Sequence, residues 1–182
     1  MTTALIVVDV QNDFAHPDGN LSVEGGERVV QHVNELLEFY DHVVYTKDWH
    51  PAETGHFDQW PKHCIADTWG AEFHDGLNVL NDAEVVYKGT GKDEDGYSGF
   101  SVETIGDDYV RGTGLNQILD GWSVDEVHIV GIALDVCVKD TALDAVRIGY
   151  DTVVITYASA PVTEDGAFKA VGEMARAGVE VV

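Results

Sequence analysis

Long apolar runs rich in β-branched residues, separated by helix-like segments, are the feature that most constrains the fold of this chain. The runs include ALIVVD at 4–9, EVVYK at 84–88 and EVHIVGIALDVC at 126–137. They are continuous rather than alternating, which is typical of strands that are buried on both faces. Because strand and helix patterns alternate, we predict an α/β fold, a Rossmann-like parallel sheet of about six strands with helices on both faces.

The hydrophobic periodicity predicts where each element lies. Strands are predicted at 4–10, 43–46, 84–88, 126–132, 152–155 and 179–182, and helices at 27–40, 114–119, 136–148 and 163–177. Gly149 and Gly178 are expected to end the last two helices in the left-handed conformation, and Thr163 is expected to cap the final helix. Segments 48–75 and 89–111 have no period, and long loops of this kind in compact domains are commonly functional.

Composition limits the class of protein and its partners. A chain of 182 residues is long enough for one domain with a full core, so we expect a single domain over 1–182. The chain carries 33 acidic against 10 basic residues, a net charge of −23, which repels nucleic acid and anionic membranes. We expect neither as a partner. No signal peptide or membrane span is evident, so a cytoplasmic protein is expected. The acidic, lysine-poor surface predicts a halophilic protein, whose self-repulsion is screened by concentrated salt.

Three reactive side chains stand at or just past the downstream ends of predicted strands: Asp9, Lys88 and Cys137. The carboxyl ends of parallel strands converge on one edge of the sheet, where open α/β folds bind ligands. An acid, a cation and a thiol that meet there make an activated nucleophile. Cys137 is expected in the first turn of a helix, where the helix dipole favours the thiolate. Taken singly, each residue has an ordinary structural explanation, and their shared location favours catalysis.

A second cluster follows the strand at 43–46. It contains Asp48 and His50, then His56 and His63, and a carboxylate with up to three imidazoles suits Zn²⁺, with Fe²⁺ or Mn²⁺ as alternatives. Acyl chemistry also needs donors for an oxyanion. The tight GIAL turn predicts that the backbone amides of Ala133 and Cys137 supply them.

The chain contains a series of short motifs: DVQNDF at 9–14, TKDWH at 46–50, GHF at 55–57, WPKHC at 60–64, YKG at 87–89, YSGF at 97–100, GIALDVCVKDTALDA at 131–145 and the EMARAGVEVV ending. Together they resemble the nicotinamidase/pyrazinamidase group of isochorismatase-like cysteine hydrolases. The similarity covers essentially the whole chain in order. It implies an isochorismatase-like hydrolase fold and the conversion of nicotinamide and water to nicotinate and ammonia, a step in NAD salvage.

The resemblance also implies roles for individual residues. The general base, lysine and nucleophile of that family correspond to Asp9, Lys88 and Cys137. Its metal ligands correspond to Asp48, His50 and His63, with His56 as a ligand in some members, and its aromatic pocket walls to Phe14, Trp60 and Tyr97. A cis peptide is expected between Ile132 and Ala133. Related proteins are often oligomeric, so a homo-oligomer is compatible with the resemblance.

One position departs from the resemblance, and other functions stay open. Val136 stands where many relatives have a histidine or an aromatic residue, which affects fine substrate preference rather than the chemistry. One alternative is another isochorismatase-like amidohydrolase that acts on a different substrate. Another is a non-catalytic metal-binding or thiol-sensing protein. A flavodoxin-like nucleotide binder would need a glycine-rich loop where DVQNDF stands.

Overall fold

The computed structural model describes residues 1–182, and a six-stranded parallel sheet forms its centre. The chain has nine strands, of which six belong to this sheet and three to a second, smaller sheet. In chain order they are β1 Thr3–Val8, β2 His42–Asp48, β3 Glu84–Lys88, β4 Glu94–Asp95, β5 Ser101–Thr104, β6 Val110–Gly112, β7 Glu126–Ile132, β8 Asp151–Ala160 and β9 Glu180–Val181. The central sheet has the order β3-β2-β1-β7-β8-β9, and each neighbouring pair is parallel. The predicted fold class is therefore confirmed.

Helices cover both faces of this sheet. They are α1 Asn12–Ala15, α2 Gly26–Leu36, α3 Leu115–Gly121, α4 Lys139–Ile148 and α5 Glu164–Ala177. Side chains of α2 pack in one core cluster, and those of α3, α4 and α5 pack in the other. None of the helices combines the length and apolar character that crossing a lipid bilayer requires.

Strand β1 shows why the apolar runs are continuous. Leu5 and Val7 belong to the core cluster on the α2 side, and Ala4, Ile6 and Val8 belong to the cluster on the opposite side. All five side chains are fully buried. Since successive residues of a strand point to opposite faces, a central strand between two helical layers needs apolar residues at every position.

The predicted helix ends agree closely with the structure. Gly149 and Gly178 have φ values of 115° and 101° and end α4 and α5 in the left-handed conformation. The Thr163 side chain accepts a hydrogen bond from the amide of Gly166 at the start of α5. The helix predicted over 27–40 is shorter, because α2 ends at Leu36 and a 3-10 turn continues to Phe39.

The structure corrects the prediction for segment 89–111, which was expected to be irregular. It contains β4, β5 and β6, which form a separate three-stranded antiparallel sheet. These strands have two to four residues, too few to show a period of two in the sequence. Segment 48–75 begins with the last residue of β2. It then contains short 3-10 turns, at Gly55–Asp58 and Trp69–Ala71, and two isolated bridges, from His50 to Ile65 and from Phe73 to Gln11.

The parallel register brings the ends of β1, β2, β3 and β7 to one edge of the sheet. Asp48 pairs with Lys88 across β2 and β3, and Val8 pairs with Gly131 across β1 and β7. At Gly131 the two backbones approach so closely that an added Cβ would lie 2.1 Å from the carbonyl oxygen of Val8. Only glycine fits there, which keeps the turn after β7 close to Asp9.

Candidate active site and metal centre

Asp9, Lys88 and Cys137 meet in one buried pocket at this edge of the sheet. The ammonium nitrogen of Lys88 lies 2.7 Å from Oδ2 of Asp9 and 3.6 Å from Sγ of Cys137. Asp9 and Lys88 are fully buried, and Cys137 is 7% exposed. Three residues separated by up to 128 positions in the sequence are thus in mutual contact, as the strand-end pattern predicted.

Asp9 has the properties of an acid–base group that works near neutral pH. Burial raises its pKa to about 6, against the opposing effect of the Lys88 ammonium, and the neighbouring carboxylate of Asp48 adds to the rise. The Thr46 hydroxyl donates to Oδ1 of Asp9 over 2.6 Å. Asp9 itself has a positive φ of 50°, a conformation that aspartate tolerates better than most residues.

Lys88 connects the two clusters that the sequence predicts. Its ammonium contacts Asp9, donates to Oδ1 of Asp48 and donates to the carbonyl of Gly96 over 2.6 Å. Burial alone would lower the pKa of Lys88, but the carboxylates of Asp48 and Asp9 raise it well above its usual value. Burial likewise opposes ionisation of Asp48, yet Lys88 and the nearby histidines hold the pKa of Asp48 well below its usual value.

The resting state of Cys137 differs from the sequence prediction. Cys137 lies in a π-helical turn, Leu134–Val138, that leads into α4. The helix start was expected to favour the thiolate, but burial raises the pKa of Cys137 well above its usual value, with the charges of Asp9 and Asp48 adding to the rise and Lys88 opposing it. The desolvation of the thiolate is therefore the larger effect. The thiol must lose its proton to a neighbouring base when it reacts.

Three buried histidines converge beside Asp48. One nitrogen from each of His50, His56 and His63 lies within 4.8 Å of the others, and each residue is at most 3% exposed. Oδ2 of Asp48 is 3.6 Å from Nε2 of His50 and 3.7 Å from Nε2 of His63. Burial lowers the pKa of His56, which favours the neutral imidazole that a metal requires.

The hydrogen bonds of these imidazoles fit a metal site. Nδ1 of His50 pairs with the carbonyl of Gly89 over 3.0 Å, and Nδ1 of His63 pairs with the carbonyl of Pro61 over 2.7 Å. Nδ1 of His56 pairs with a carboxylate oxygen of Asp95. Each Nε2 is then left as the ligand atom, and Nε2 of His50 is buried without a hydrogen-bond partner. One carboxylate and three imidazoles suit Zn²⁺, Fe²⁺ or Mn²⁺.

A second group of metal-binding atoms has a different explanation. Asp9, Asp48 and Cys137 also offer ligand atoms within 4.8 Å of one another. However, the ammonium of Lys88 contacts all three residues. This group therefore already contains a cation, supplied by the chain itself.

An apolar cleft opens above Cys137. Its free volume is about 420 Å³ including its open mouth, and the predicted wall residues Phe14, Trp60 and Tyr97 line it together with Ala133 and Cys137. The indole nitrogen of Trp60 donates to the Tyr97 hydroxyl over 3.0 Å, which ties two walls together. The metal-site residues Asp48, His56 and His63 line the same cleft, as do Leu21, Val23, Val136 and Val162. The peptide bond between Ile132 and Ala133 is cis, as the resemblance implied.

Gln11 is a supporting residue that the sequence analysis did not single out. Its side chain accepts from the amide of Asp48 over 2.9 Å and donates to the carbonyl of Asp48 over 2.7 Å, so it clamps the backbone of a metal-site residue. It also donates to the carbonyl of Ala71 over 2.8 Å. The available signal was an amide side chain inside DVQNDF, three residues after the end of β1. Asp95 gave no such signal, because it lies in a segment without periodicity.

Comparison with known proteins identifies the family. The sequence profile of the isochorismatase domain matches residues 3–182. The chain belongs to the isochorismatase family. Among curated members, the nicotinamidase/pyrazinamidase of Mycobacterium tuberculosis is 42% identical over 191 residues, covering 98% of this chain and 97% of that protein.

Solved structures of family members share the whole fold. The crystal structure of a pyrazinamidase from Pyrococcus horikoshii in complex with zinc has a TM-score of 0.89 and 35% identity, and the match covers 100% of this chain and 99% of that chain. The structure of PnC1 from L. infantum in complex with nicotinate has a TM-score of 0.92 and 33% identity, covering 100% and 92%. This isochorismatase-family chain is thus similar to proteins of known ligand chemistry along its full length.

Replacing Lys88 tests whether its ammonium stabilises the two buried carboxylates of the site. Lys88→Met leaves two buried carboxylates without their cation, and we expect it to lower the free energy of unfolding by about 3–5 kcal/mol. Lys169→Met is the control, because its pair with Asp165 is 73% and 77% exposed and should contribute little. Urea unfolding of the metal-free proteins measures both. Equal stability of the Lys88 variant and the wild type would contradict the central role of this ammonium.

Proposed function

We propose that this protein is a nicotinamidase that hydrolyses nicotinamide to nicotinate and ammonia through a cysteine thioester, with pyrazinamide as a second substrate. The observation that carries this proposal is the contact of Lys88 with both Asp9 and Cys137 below an aromatic cleft that also faces Asp48 and His63. Its relatives named nicotinamidase support the same reaction class, cleavage of a linear carboxamide C–N bond. The reaction serves NAD salvage.

The cleft supports binding of a flat heteroaromatic ring. Phe14, Trp60 and Tyr97 supply aromatic walls, and Asp48 with the three histidines would hold one divalent ion. We propose zinc, since the donor set suits it and the similar Pyrococcus horikoshii structure contains zinc. When bound, the ion would supply a Lewis-acid contact for the ring nitrogen and so fix the orientation of the ring.

The first half of the reaction follows from the positions of Asp9 and Cys137. Asp9, with its pKa near 6, is ionised at neutral pH and accepts the Cys137 proton. The sulfur then forms a bond to the carboxamide carbon, and the carbonyl electron pair moves onto oxygen. The backbone amides of Ala133 and Cys137, both at the cleft, are proposed to bind that oxyanion. Collapse of the intermediate breaks the C–N bond, and the proton on Asp9 leaves with the nitrogen as ammonia.

The second half regenerates the thiol. A water molecule gives one proton to Asp9 and adds its hydroxyl to the thioester carbon. The C–S bond then breaks to release nicotinic acid, which loses its carboxyl proton to solvent and so becomes nicotinate. The proton returns from Asp9 to the sulfur. Lys88 contacts both groups throughout and offsets the negative charge that passes between them.

Other activities of the same family fit the structure less well. Related hydrolases that act on N-carbamoyl compounds or isochorismate would have no use for the convergent Asp48, His50 and His63 set. A protein that only binds a metal or senses thiol oxidation would not need a buried carboxylate, that of Asp9, beside the Cys137 thiol. Cytoplasmic location, a homo-oligomeric state and adaptation to salt are further proposals, and the last of these follows from the net charge of −23.

Removing the nucleophile tests the reaction itself. Cys137→Ala should lower ammonia release from nicotinamide by about 10³-fold or more, since no other side chain can form the acyl intermediate. Cys64→Ala is the matched control, because Cys64 is the other free cysteine and its side chain is buried in the core cluster and does not line the cleft. Ammonia release is measured with zinc-loaded protein in high KCl. Turnover that survives the Cys137 change would refute the nucleophile assignment.

The pH dependence tests the role of Asp9. Because a base must be ionised to accept a proton, kcat/KM should fall tenfold per pH unit below about 6, the raised pKa of Asp9. Zinc binding itself depends on pH, because a metal requires deprotonated ligands, so profiles are measured at two zinc concentrations. If the acidic limb of the pH profile shifts with zinc concentration, it reports protonation of the metal ligands. A fixed limb near pH 4 would show that burial does not raise the pKa of Asp9 in the working enzyme.

Salt dependence tests the proposed adaptation. Between about 0.01 M and 1 M salt the Debye length falls from about 30 Å to about 3 Å, so repulsion across the acidic surface should be largely screened. We expect the melting temperature to rise over this range, by about 2–4 °C for each kcal/mol gained. Thermal melts in a KCl series measure the effect. Equal melting temperatures in low and molar KCl would remove this proposal.

A further inference from the structure

His56 differs from the other two histidines in the partner of its Nδ1 atom. His50 and His63 each pair with a neutral backbone carbonyl, of Gly89 and Pro61. His56 instead pairs with the carboxylate of Asp95. A carboxylate on the far nitrogen of an imidazole fixes its tautomer and orientation and makes the other nitrogen a stronger ligand. The contact therefore leaves Nε2 of His56 unprotonated and free to bind a metal ion.

The Asp95 carboxylate is held in place by the small antiparallel sheet. Asp95 is the last residue of β4 and pairs with Glu103 of β5. The preceding residue, Glu94, accepts two hydrogen bonds of 3.0 Å from Nη2 of Arg111, the middle residue of β6. The side chain of Asp95 is 14% exposed, and that of His56 is 4% exposed. The carboxylate is thus positioned by a scaffold that contains none of the metal-site residues.

The same scaffold also holds the turn that carries His56. The amide of Gly55 donates to the carbonyl of Lys92 over 3.1 Å, and Thr54 caps the amide of His56 over 3.2 Å. The His56 ring stacks on His50 with centroids 4.4 Å apart and an interplanar angle of 18°. Loop, ring and carboxylate are therefore fixed relative to one another.

We propose that Asp95 is a positioning residue that fixes the tautomer and orientation of His56, so that Nε2 of His56 is presented to the metal site. This inference rests on the metal site of the proposed function and assigns a purpose to the small sheet. The sheet supplies, through Asp95, one side of the metal centre. Asp95 acts through His56 and has no direct contact with substrate in this assignment.

The zinc affinity of purified protein tests the proposal without any substrate. The dissociation constant for Zn²⁺ is measured by competition with a chromophoric chelator for the wild type, Asp95→Asn and Asp93→Asn. Asp95→Asn should weaken binding by about 10- to 100-fold, the usual effect of losing such a partner. Asp93→Asn removes the same charge from an exposed neighbouring position and should leave affinity unchanged. Equal affinities of the two variants would overturn the proposal.

A double-mutant cycle separates positioning from a general loss of structure. His56→Ala should weaken zinc binding, and adding Asp95→Asn in that background should cause no further loss, because Asp95 acts only through His56. A full additional loss would overturn the proposal. Zinc binding by the wild type too weak to measure would overturn both this inference and the proposed metal site. If Asp95→Asn weakens zinc binding but the zinc-loaded wild type does not hydrolyse nicotinamide, the inference is supported and the proposed function is refuted.

Discussion

The buried ammonium of Lys88 is the interaction on which the site depends. It contacts Asp9, Asp48 and Cys137 in a region from which water is excluded. Two carboxylates in one buried site would repel each other, and one would bind a proton. With Lys88 between them, Asp48 stays ionised for a metal while Asp9 titrates near pH 6. One cation thus gives two carboxylates different roles.

Burial and charge also set the protonation state of Cys137, the proposed nucleophile. Desolvation raises the pKa of the Cys137 thiol, so in the proposed reaction the sulfur anion forms only when Asp9 removes the proton. A protonated thiol is a weaker nucleophile than a thiolate. The cost is a dependence on Asp9, whose own pKa is raised by the same burial. The same burial therefore raises the pKa of both the proton donor and the proton acceptor.

The proposed metal centre is built from two parts of the chain, a strand end and the irregular segment after it. The end of β2 supplies Asp48, and the irregular segment that follows supplies His50, His56 and His63. Nδ1 of His50 and Nδ1 of His56 pair with groups outside that segment, the carbonyl of Gly89 and the carboxylate of Asp95, and Nδ1 of His63 pairs with the carbonyl of Pro61 within it. The small sheet adds the carboxylate at His56. Segments that look like loops in the sequence thus carry the partners that orient the ligands.

The sequence by itself determined the central sheet, the helix stops and which candidate reactive residues meet at one edge of the sheet. Apolar runs without alternation require burial on both faces, and that pattern is local enough to read directly. Asp9, Lys88 and Cys137 could be placed together because the carboxyl ends of parallel strands share an edge. Tertiary structure alone decided the β4-β5-β6 sheet, the Asp95 contact and the protonation of Cys137. Short strands carry no period, and a pKa depends on desolvation and on charges that are distant in sequence.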